Sequence, residues 1–241
     1  MANFFPRWSN TILFQIIACL AVLGAGATIA VAYYFTPKYT RVGYEPDQPV
    51  PYDHKLHVGQ LGMDCRYCHS HVETSGHANV PTAQVCWNCH KSVKLGDPQL
   101  EPIRRAADSN YEFFDGLPVK WKRVHQAPDY VYFNHSVHVN RGVSCKSCHG
   151  DVGEMRVVSH VESHSMSWCL DCHRDPSQHL RPLDEVFNLK WEPEDEEGKL
   201  AFLGDPNSEM KAKKATQREI GKQLQHDWKI NPPTNCSACH R

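Results

Sequence analysis

The sequence predicts a mostly α-helical and irregular protein with little regular secondary structure, preceded by one N-terminal transmembrane helix. Residues 12–35 carry no charged side chain and are long enough to cross a bilayer as a helix. In the remaining chain of about 200 residues, a cysteine motif occurs five times. Each motif therefore has only about 40 residues of chain, which is too few to surround it with an ordinary side-chain core.

The repeated motif is C-x-x-C-H, at residues 65–69, 86–90, 145–149, 169–173 and 236–240. It is the attachment site of a c-type haem, in which two thiols form thioether bonds to the porphyrin and the adjacent imidazole ligates the iron. Two intervening residues let both thiols reach the porphyrin from one helical turn. The sequence thus predicts five covalently bound c-type haems and a haem-packed core. The attaching cysteines are Cys65, Cys68, Cys86, Cys89, Cys145, Cys148, Cys169, Cys172, Cys236 and Cys239, and the proximal ligands are His69, His90, His149, His173 and His240.

Two other uses of C-x-x-C pairs compete with haem attachment. The gaps from Cys68 to Cys86 and from Cys148 to Cys169 suit zinc ribbons, and paired cysteines also form disulfides or redox dithiols. Neither use explains the histidine after every pair, which 16 His in 241 residues would supply by chance about once in fifteen pairs. A fifth pair would also lack a ribbon partner. The pattern therefore favours haem.

Composition limits the remaining functions. Ten of the eleven cysteines belong to the motifs, so only Cys19 remains and no disulfide framework is left. The formal net charge of −1 and the isoelectric point near 7.0 argue against a nucleic-acid-binding surface. Haem propionates would make the loaded protein more acidic still.

The N-terminal run can be read in two ways. Residues 1–11 are predicted to be a cytoplasmic N-terminus, and residues 12–35 an uncleaved transmembrane anchor. A cleaved signal peptide is the alternative, and a lipoprotein-like site would make Cys19 a lipid anchor. The apolar run continues for sixteen residues beyond Cys19, which favours the uncleaved anchor. Because haem is attached covalently outside the cytoplasmic membrane, we expect a single-pass protein of the bacterial cytoplasmic (inner) membrane with its haem domain on the periplasmic side.

The rest of the chain divides around an internal repeat. Residues 36–51 contain four prolines and are predicted to form an extended stalk. An aromatic-x-His-x-x-His pattern begins at Tyr52 and again at Phe133, and the two halves are offset by 80–83 residues. The predicted units are a first dihaem module and joint at 52–132, a second dihaem module at 133–180, and a C-terminal segment with the fifth haem at 181–241.

A six-coordinate haem also needs a distal axial ligand. Histidines at i and i+3 share one helix face, so the two His-x-x-His pairs are predicted to serve four irons, although a solvated pair is the alternative. For the fifth iron a methionine is a candidate, and its thioether would raise that haem's potential. The candidate distal ligands are His54, His57, His135, His138, Met155 and Met166, and the competing histidines are His71, His77, His160, His164, His179 and His226.

The motifs favour electron transfer over catalysis. A catalytic multihaem enzyme needs an open iron, often with an altered proximal residue, whereas all five motifs here end in histidine. Six-coordinate irons pass electrons but bind small substrates poorly. No glycine-rich nucleotide-binding loop or convincing nucleophile constellation is present. Catalysis within this chain is therefore not expected.

The same residues carry a resemblance to known families. His-x-x-His upstream of C-x-x-C-H resembles class III multihaem cytochromes c. The wider pattern resembles the pentahaem subunit of alternative complex III over essentially the whole chain. This pattern comprises the anchor and the segments at 64–69, 80–86, 132–135 and 168–174.

That resemblance implies an assembly and a direction. The implied partners are an iron–sulfur periplasmic subunit, polytopic quinol-binding membrane subunits and a monohaem cytochrome c. The implied function is to relay electrons from the iron–sulfur subunit or quinol site to the monohaem cytochrome c or a terminal oxidase, with the quinol site in another subunit. The alternative is a stand-alone membrane-anchored multihaem quinol dehydrogenase feeding a periplasmic reductase, a type that carries four haems. A catalytic multihaem reductase is a third class.

Overall fold

The computed structural model describes residues 6–36, 41–193 and 216–240. Within these residues, short helices are joined by irregular segments, and the β-type pairings are two isolated antiparallel bridges, Val131 with His240 and Val143 with Leu180. The predicted helical and irregular fold class with one N-terminal apolar helix is confirmed.

The first α-helix, α1 (Ile12–Phe35), is the long apolar helix that the sequence predicts. Its most apolar window has a mean hydropathy of 2.3, and none of that window is buried against the rest of the protein. The helix ends where Thr36 turns extended, because a residue that precedes a proline, here Pro37, is disfavoured in the α conformation. Its length and composition suit either a membrane anchor or a signal sequence.

The following helices are mostly one or two turns long. In the described residues they are α2 (Cys65–Cys68), α3 (Ala83–His90), α4 (Glu101–Ala107), α5 (His135–Val139), α6 (Cys145–His149), α7 (Met166–Arg174), α8 (Gln217–Asp227) and α9 (Cys236–Cys239). A π-helical turn spans Lys55–Gln60, and 3-10 turns span Arg7–Asn10, Pro98–Leu100, Val152–Glu154, Pro176–Gln178 and Leu183–Glu185.

The described hydrophobic side chains form three small buried clusters. The first contains Val50, Ala83, Ile103 and Ala106, and the second contains Leu180, Trp191, Ile220 and Leu224. The third is formed by Val72, Val139 and Val186. Because each cluster contains only three or four buried residues, none of them forms a large core around the five motifs. Small clusters of this kind are expected if bound haem supplies much of the buried apolar surface. The haem-packed core itself stays a prediction.

Helix α8 is the best-packed element of the C-terminal part. It begins with a capping box, in which Thr216 accepts from the Glu219 amide while the Glu219 carboxylate accepts from the Thr216 amide. Ile220 and Leu224 are fully buried against Leu180 and Trp191. A Cβ atom at Gly221 would collide with the carbonyl oxygen of Ser177. The absence of a side chain at Gly221 therefore lets α8 lie directly on the 176–178 turn.

The described part of the predicted stalk begins with a turn at residues 41–43 and is hydrogen-bonded to the haem-motif region. Arg41 donates to the carbonyl of Gln126 at 2.8 Å. The Gly43 amide donates to His160 O at 2.7 Å, and the His160 amide donates to Tyr44 O at 2.9 Å. These contacts place the chain that leaves α1 alongside residues 126 and 160, while the role of residues 36–51 as a spacer stays a prediction.

Candidate haem sites

Each cysteine motif occupies the first turn or the body of a short helix. Asp64 caps α2 by accepting from the Arg66 amide at 2.8 Å, and Ser144 and Ser165 cap α6 and α7 in the same way. Asp and Ser at these positions satisfy amide groups that would otherwise lack partners. The two cysteines of a motif therefore lie on one helical turn, and none of the described cysteines forms a disulfide.

The imidazoles of three motifs are oriented by backbone carbonyls. The Nδ1 atom of His69 lies 2.6 Å from Asn79 O, that of His90 lies 3.1 Å from Val93 O, and that of His173 lies 2.6 Å from Pro233 O. A carbonyl oxygen only accepts, so Nδ1 carries the hydrogen and Nε2 is left as the bare nitrogen. This is how a metal-bound histidine is held by its surroundings.

Three of the predicted distal histidines show the same orientation. The Nδ1 atoms of His57, His135 and His138 lie 2.8, 2.8 and 2.7 Å from the carbonyl oxygens of Asp53, Gly76 and Asn134. When these rings are neutral, their Nε2 atoms are therefore also left bare, and this is the form that binds iron. Each of these rings is partly buried.

Ring separations match pairs of these histidines across a metal ion. An imidazole nitrogen binds a transition metal at about 2.0 Å, and the ring centroid lies about 1.1 Å behind it, so ligands on opposite sides of one iron have centroids about 6.2 Å apart. His57 and His90 are separated by 6.3 Å, and His138 and His173 by 6.2 Å. The residues present thus fit bis-histidine haem at the second and fourth motifs.

The third motif has two rings at a suitable distance. His135 lies 6.3 Å from His149 with nearly parallel planes, 5° apart, and His164 lies 6.1 Å from His149. The Nε2 atom of His164 is 2.9 Å from Cys148 O and must donate to it, whereas the Nε2 atom of His135 is bare. His135 is therefore the better axial partner of His149.

The two His-x-x-His segments have matching aromatic contacts. Tyr52 meets His54 edge-on at 4.6 Å and 85°, and Phe133 meets His135 at 4.8 Å and 86°. Tyr52 stacks on His57 at 4.4 Å and 25°, and Phe133 stacks on His138 at 4.8 Å and 26°. The aromatic residue thus meets one imidazole of its segment edge-on and stacks on the other, so the two imidazole rings are steeply inclined to each other.

Burial disfavours the charged form of two candidate ligands, His54 and His149. Desolvation, followed by the charges of His69 and His57, lowers the pKa of His54 to about 4. Burial and the neighbouring imidazoles likewise hold the pKa of His149 well below its ordinary value. His54 also has a buried Nδ1 atom without a hydrogen-bond partner. The charge of His69, the imidazole of the first motif, contributes to the lowered pKa of His54.

Sequence reasoning missed His125, which the structure places in a histidine cluster beside the third motif. Its ring lies 4.3 Å from that of His149 and 5.0 Å from that of His160, and its pKa is lowered to about 4, mainly by burial. The Nε2 atom of His125 and both ring nitrogens of His160 are buried without a partner. His125 stands alone in Val124-His125-Gln126, so no spacing in the sequence marks it.

The other candidate ligands are positioned less favourably. Met166 is 65% exposed, and the Met155 sulfur accepts from Ser159 Oγ at 4.0 Å. His71 and His77 are exposed, His179 is partly buried, and the side chain of His226 is 87% exposed beside Asp227. None of these contacts assigns a distal ligand to His240, whose ring lies 5.8 Å from that of Tyr130.

Comparison with known proteins finds similarity to two cytochromes c. No family model matches the chain. The chain is 36% identical over 105 residues to the menaquinone reductase multiheme cytochrome c subunit of Nitratidesulfovibrio vulgaris, covering 44% of this chain and 47% of that protein. It is 23% identical over 222 residues to cytochrome c-552 of Maridesulfovibrio salexigens, covering 76% of this chain and 44% of that protein.

These similarities support a multihaem cytochrome c. Homologues of this kind imply covalently bound c-type haems and electron transfer. The chain spans about half the length of the curated relatives it matches.

Proposed function

We propose that this chain is a membrane-anchored pentahaem cytochrome c that relays electrons within a respiratory quinone-linked complex. The observation that carries the proposal is the set of imidazole pairs at iron-spanning separations, His57 with His90, His138 with His173, and His135 with His149. When bound, haem iron supplies one-electron chemistry between its ferric and ferrous states. Two protein ligands on one iron leave no position for a small substrate, which favours relay over catalysis.

The chain's own residues hold and orient these groups. The ten motif thiols would form the thioether bonds, and the five motif imidazoles would bind iron from one side. His57, His135 and His138 would bind from the other side, with their rings fixed through Nδ1 by backbone carbonyls. His54 would serve the first motif, and a histidine or either Met155 or Met166 would serve the fifth.

The proposed setting is a bacterial cytoplasmic membrane with the haem domain on its outer side. Helix α1 is long and apolar enough for a single-pass anchor. Because haem is attached covalently outside the cytoplasmic membrane, residues after α1 would face the periplasm.

The proposed complex is of the alternative complex III type. Its partners would be an iron–sulfur periplasmic subunit, polytopic quinol-binding membrane subunits and a monohaem cytochrome c. Electrons would leave a quinol site in another subunit and reach the monohaem cytochrome c or a terminal oxidase through this chain.

In a second candidate function, electrons flow in the opposite direction, toward the quinone. The relative from Nitratidesulfovibrio vulgaris is a menaquinone reductase subunit, so a related complex here would receive electrons on the periplasmic side and reduce menaquinone. The haem ligands would be the same in both cases, because six-coordinate irons carry electrons in either direction. The partner subunits and potentials would decide between them.

Isolation of the native complex in mild detergent tests the proposal. Recovery with an iron–sulfur subunit and polytopic membrane proteins, in a complex that oxidises quinol with a cytochrome acceptor, would support the alternative complex III type. A complex that instead reduces a menaquinone analogue with a reduced periplasmic donor would support the second candidate. A chain recovered alone that still oxidises quinol would contradict both and indicate a stand-alone quinol dehydrogenase.

A further inference from the structure

The cysteine motifs neighbour one another in an order that differs from their order in the chain. We infer that the five haems form one row in the order second, first, third, fourth, fifth motif, so that residues 86–90 and 236–240 hold its two ends. This inference rests on the proposed pentahaem content. Its basis is a set of contacts that join each motif to its neighbours.

The second motif joins the first. Asn88 donates from Nδ2 to the hydroxyl of Tyr67 at 3.3 Å, linking a residue inside one motif to a residue inside the other. The Cys68 thiol lies close enough to Cys86 and Cys89 for these groups to interact electrostatically. The second motif would also take its distal ligand, His57, from the segment that leads into the first motif.

The first motif also joins the third. The Cys65 and Cys145 thiols lie close enough for each to shift the pKa of the other. The loop after the first motif holds the distal ligand of the third, because Gly76 O accepts from both the amide and the Nδ1 of His135, at 3.2 and 2.8 Å. The Ser136 amide donates to Ser75 O at 3.1 Å in the same place.

The third motif joins the fourth. His164, two residues before α7, donates from Nε2 to the carbonyl of Cys148 at 2.9 Å. The Cys148 thiol interacts electrostatically with the thiols of Cys172 and Cys169. The third motif is also the one motif in which no residue is exposed, as expected for the middle of a row.

The fourth motif joins the fifth. The imidazole of His173 is held by Pro233 O at 2.6 Å, three residues before the fifth motif begins. The thiols of Cys169 and Cys239 interact electrostatically. Cys236, Ser237 and Ala238 are exposed, which suits the end of a row.

The reversal of the first two motifs has a structural cause. His57, in the segment before the first motif, lies close to His90 of the second motif. Gly76, in the loop after the first motif, binds His135, the proposed ligand of the third motif. A row in chain order would instead need contacts between the second and third motifs. Among the described residues, the motif-to-motif contacts link the second motif to the first.

Magnetic interaction between ferric haems tests the order in the holoprotein. In the Cys65→Ala/Cys68→Ala variant, the second haem should lose its single neighbour and give an uncoupled low-spin electron paramagnetic resonance signal. In the matched Cys86→Ala/Cys89→Ala variant, which removes an end, the remaining four haems should stay coupled. A row in chain order predicts the opposite: four coupled haems in Cys65→Ala/Cys68→Ala and one uncoupled haem in Cys86→Ala/Cys89→Ala. That pair of results would overturn the inference.

A second pair of variants leaves all five attachment motifs intact. His57→Met and His54→Met should each raise the potential of one haem, the second and the first respectively. In the proposed row the second haem has one neighbour and the first haem has two. Redox titration should therefore show the potential of one neighbouring haem shifted in His57→Met, and the potentials of two shifted in His54→Met. The reverse counts would contradict the order. The intact mass of the wild-type protein separates the two claims, because fewer than five haems would defeat the proposed function, whereas five haems in another order would defeat only this inference.

Discussion

The ring centroids of His57 and His90 lie 6.3 Å apart, although His57 precedes the first motif and His90 ends the second. The Nδ1 atom of His57 donates a hydrogen bond to Asp53 O, and that of His90 donates to Val93 O. Both Nε2 atoms are thus free for a metal ion between the rings. This relationship is repeated by His138 and His173 at 6.2 Å.

The first prediction follows from this pair. Replacing His57 with Ala removes one axial ligand, so about one fifth of the low-spin ferric signal should convert to a five-coordinate, high-spin signal. Electron paramagnetic resonance measures the conversion. The matched control is His226→Ala, since the His226 side chain is 87% exposed and its loss should leave all five haems low-spin. An unchanged spectrum in His57→Ala would contradict the pairing.

The second prediction concerns His160. Its ring is 1% exposed and neither nitrogen has a partner, and an unsatisfied buried polar group costs about 1–3 kcal/mol. A ligand role would remove that cost. His160→Ala should therefore produce a high-spin haem, while Met155→Leu and Met166→Leu should leave the spectrum unchanged. Conversion in a methionine variant, with the His160 variant unaffected, would contradict a ligand role for His160 and assign such a role to that methionine.

The third prediction is a pH dependence. The folded protein holds the pKa of His54 at about 4, below the ordinary value of about 6.5. A depressed folded-state pKa gives stability that is fully present above pH 6.5 and is lost as the pH falls toward 4. The full low-spin absorption should accordingly persist at pH 5.5, and about one fifth of it should be lost near pH 4. Loss of a histidine ligand with a midpoint at 6.5 or above would contradict this.

The fourth prediction tests the packing of α8. Gly221→Ala would push a methyl group into Ser177 O, and overpacking of this kind costs about 1–3 kcal/mol. The haem-loaded protein should therefore unfold at lower denaturant concentration. Gly96→Ala is the matched control, because a Cβ there meets no atom within 4 Å. Equal stability of the two variants would show that α8 does not depend on this close approach.

The sequence predicted the features that local patterns encode. The C-x-x-C-H motifs, the apolar helix and the matching His-x-x-His segments could all be found from spacing. Tyr52 and Phe133 begin the two matching patterns, and the structure shows that each stacks on the second imidazole of its segment.

Features that depend on long-range contacts could not be predicted in this way. His125 lies beside His149 because the chain folds back, and nothing in its local sequence marks it. The attachment of residues 41–50 to residues 122, 126 and 160 also depends on tertiary hydrogen bonds. The ring separations of His57 from His90 and of His138 from His173 are a third example, because they join segments that are far apart in the chain.

Haem content and spin state together test the central claim, a five-haem electron relay, most directly. Intact mass spectrometry of the purified native protein should give the polypeptide plus five covalently bound haems. Electron paramagnetic resonance of the same sample should show low-spin ferric haem that is unchanged by added cyanide or nitrite. Fewer than five haems, free motif thiols, or a resting haem that binds either ligand would contradict the account.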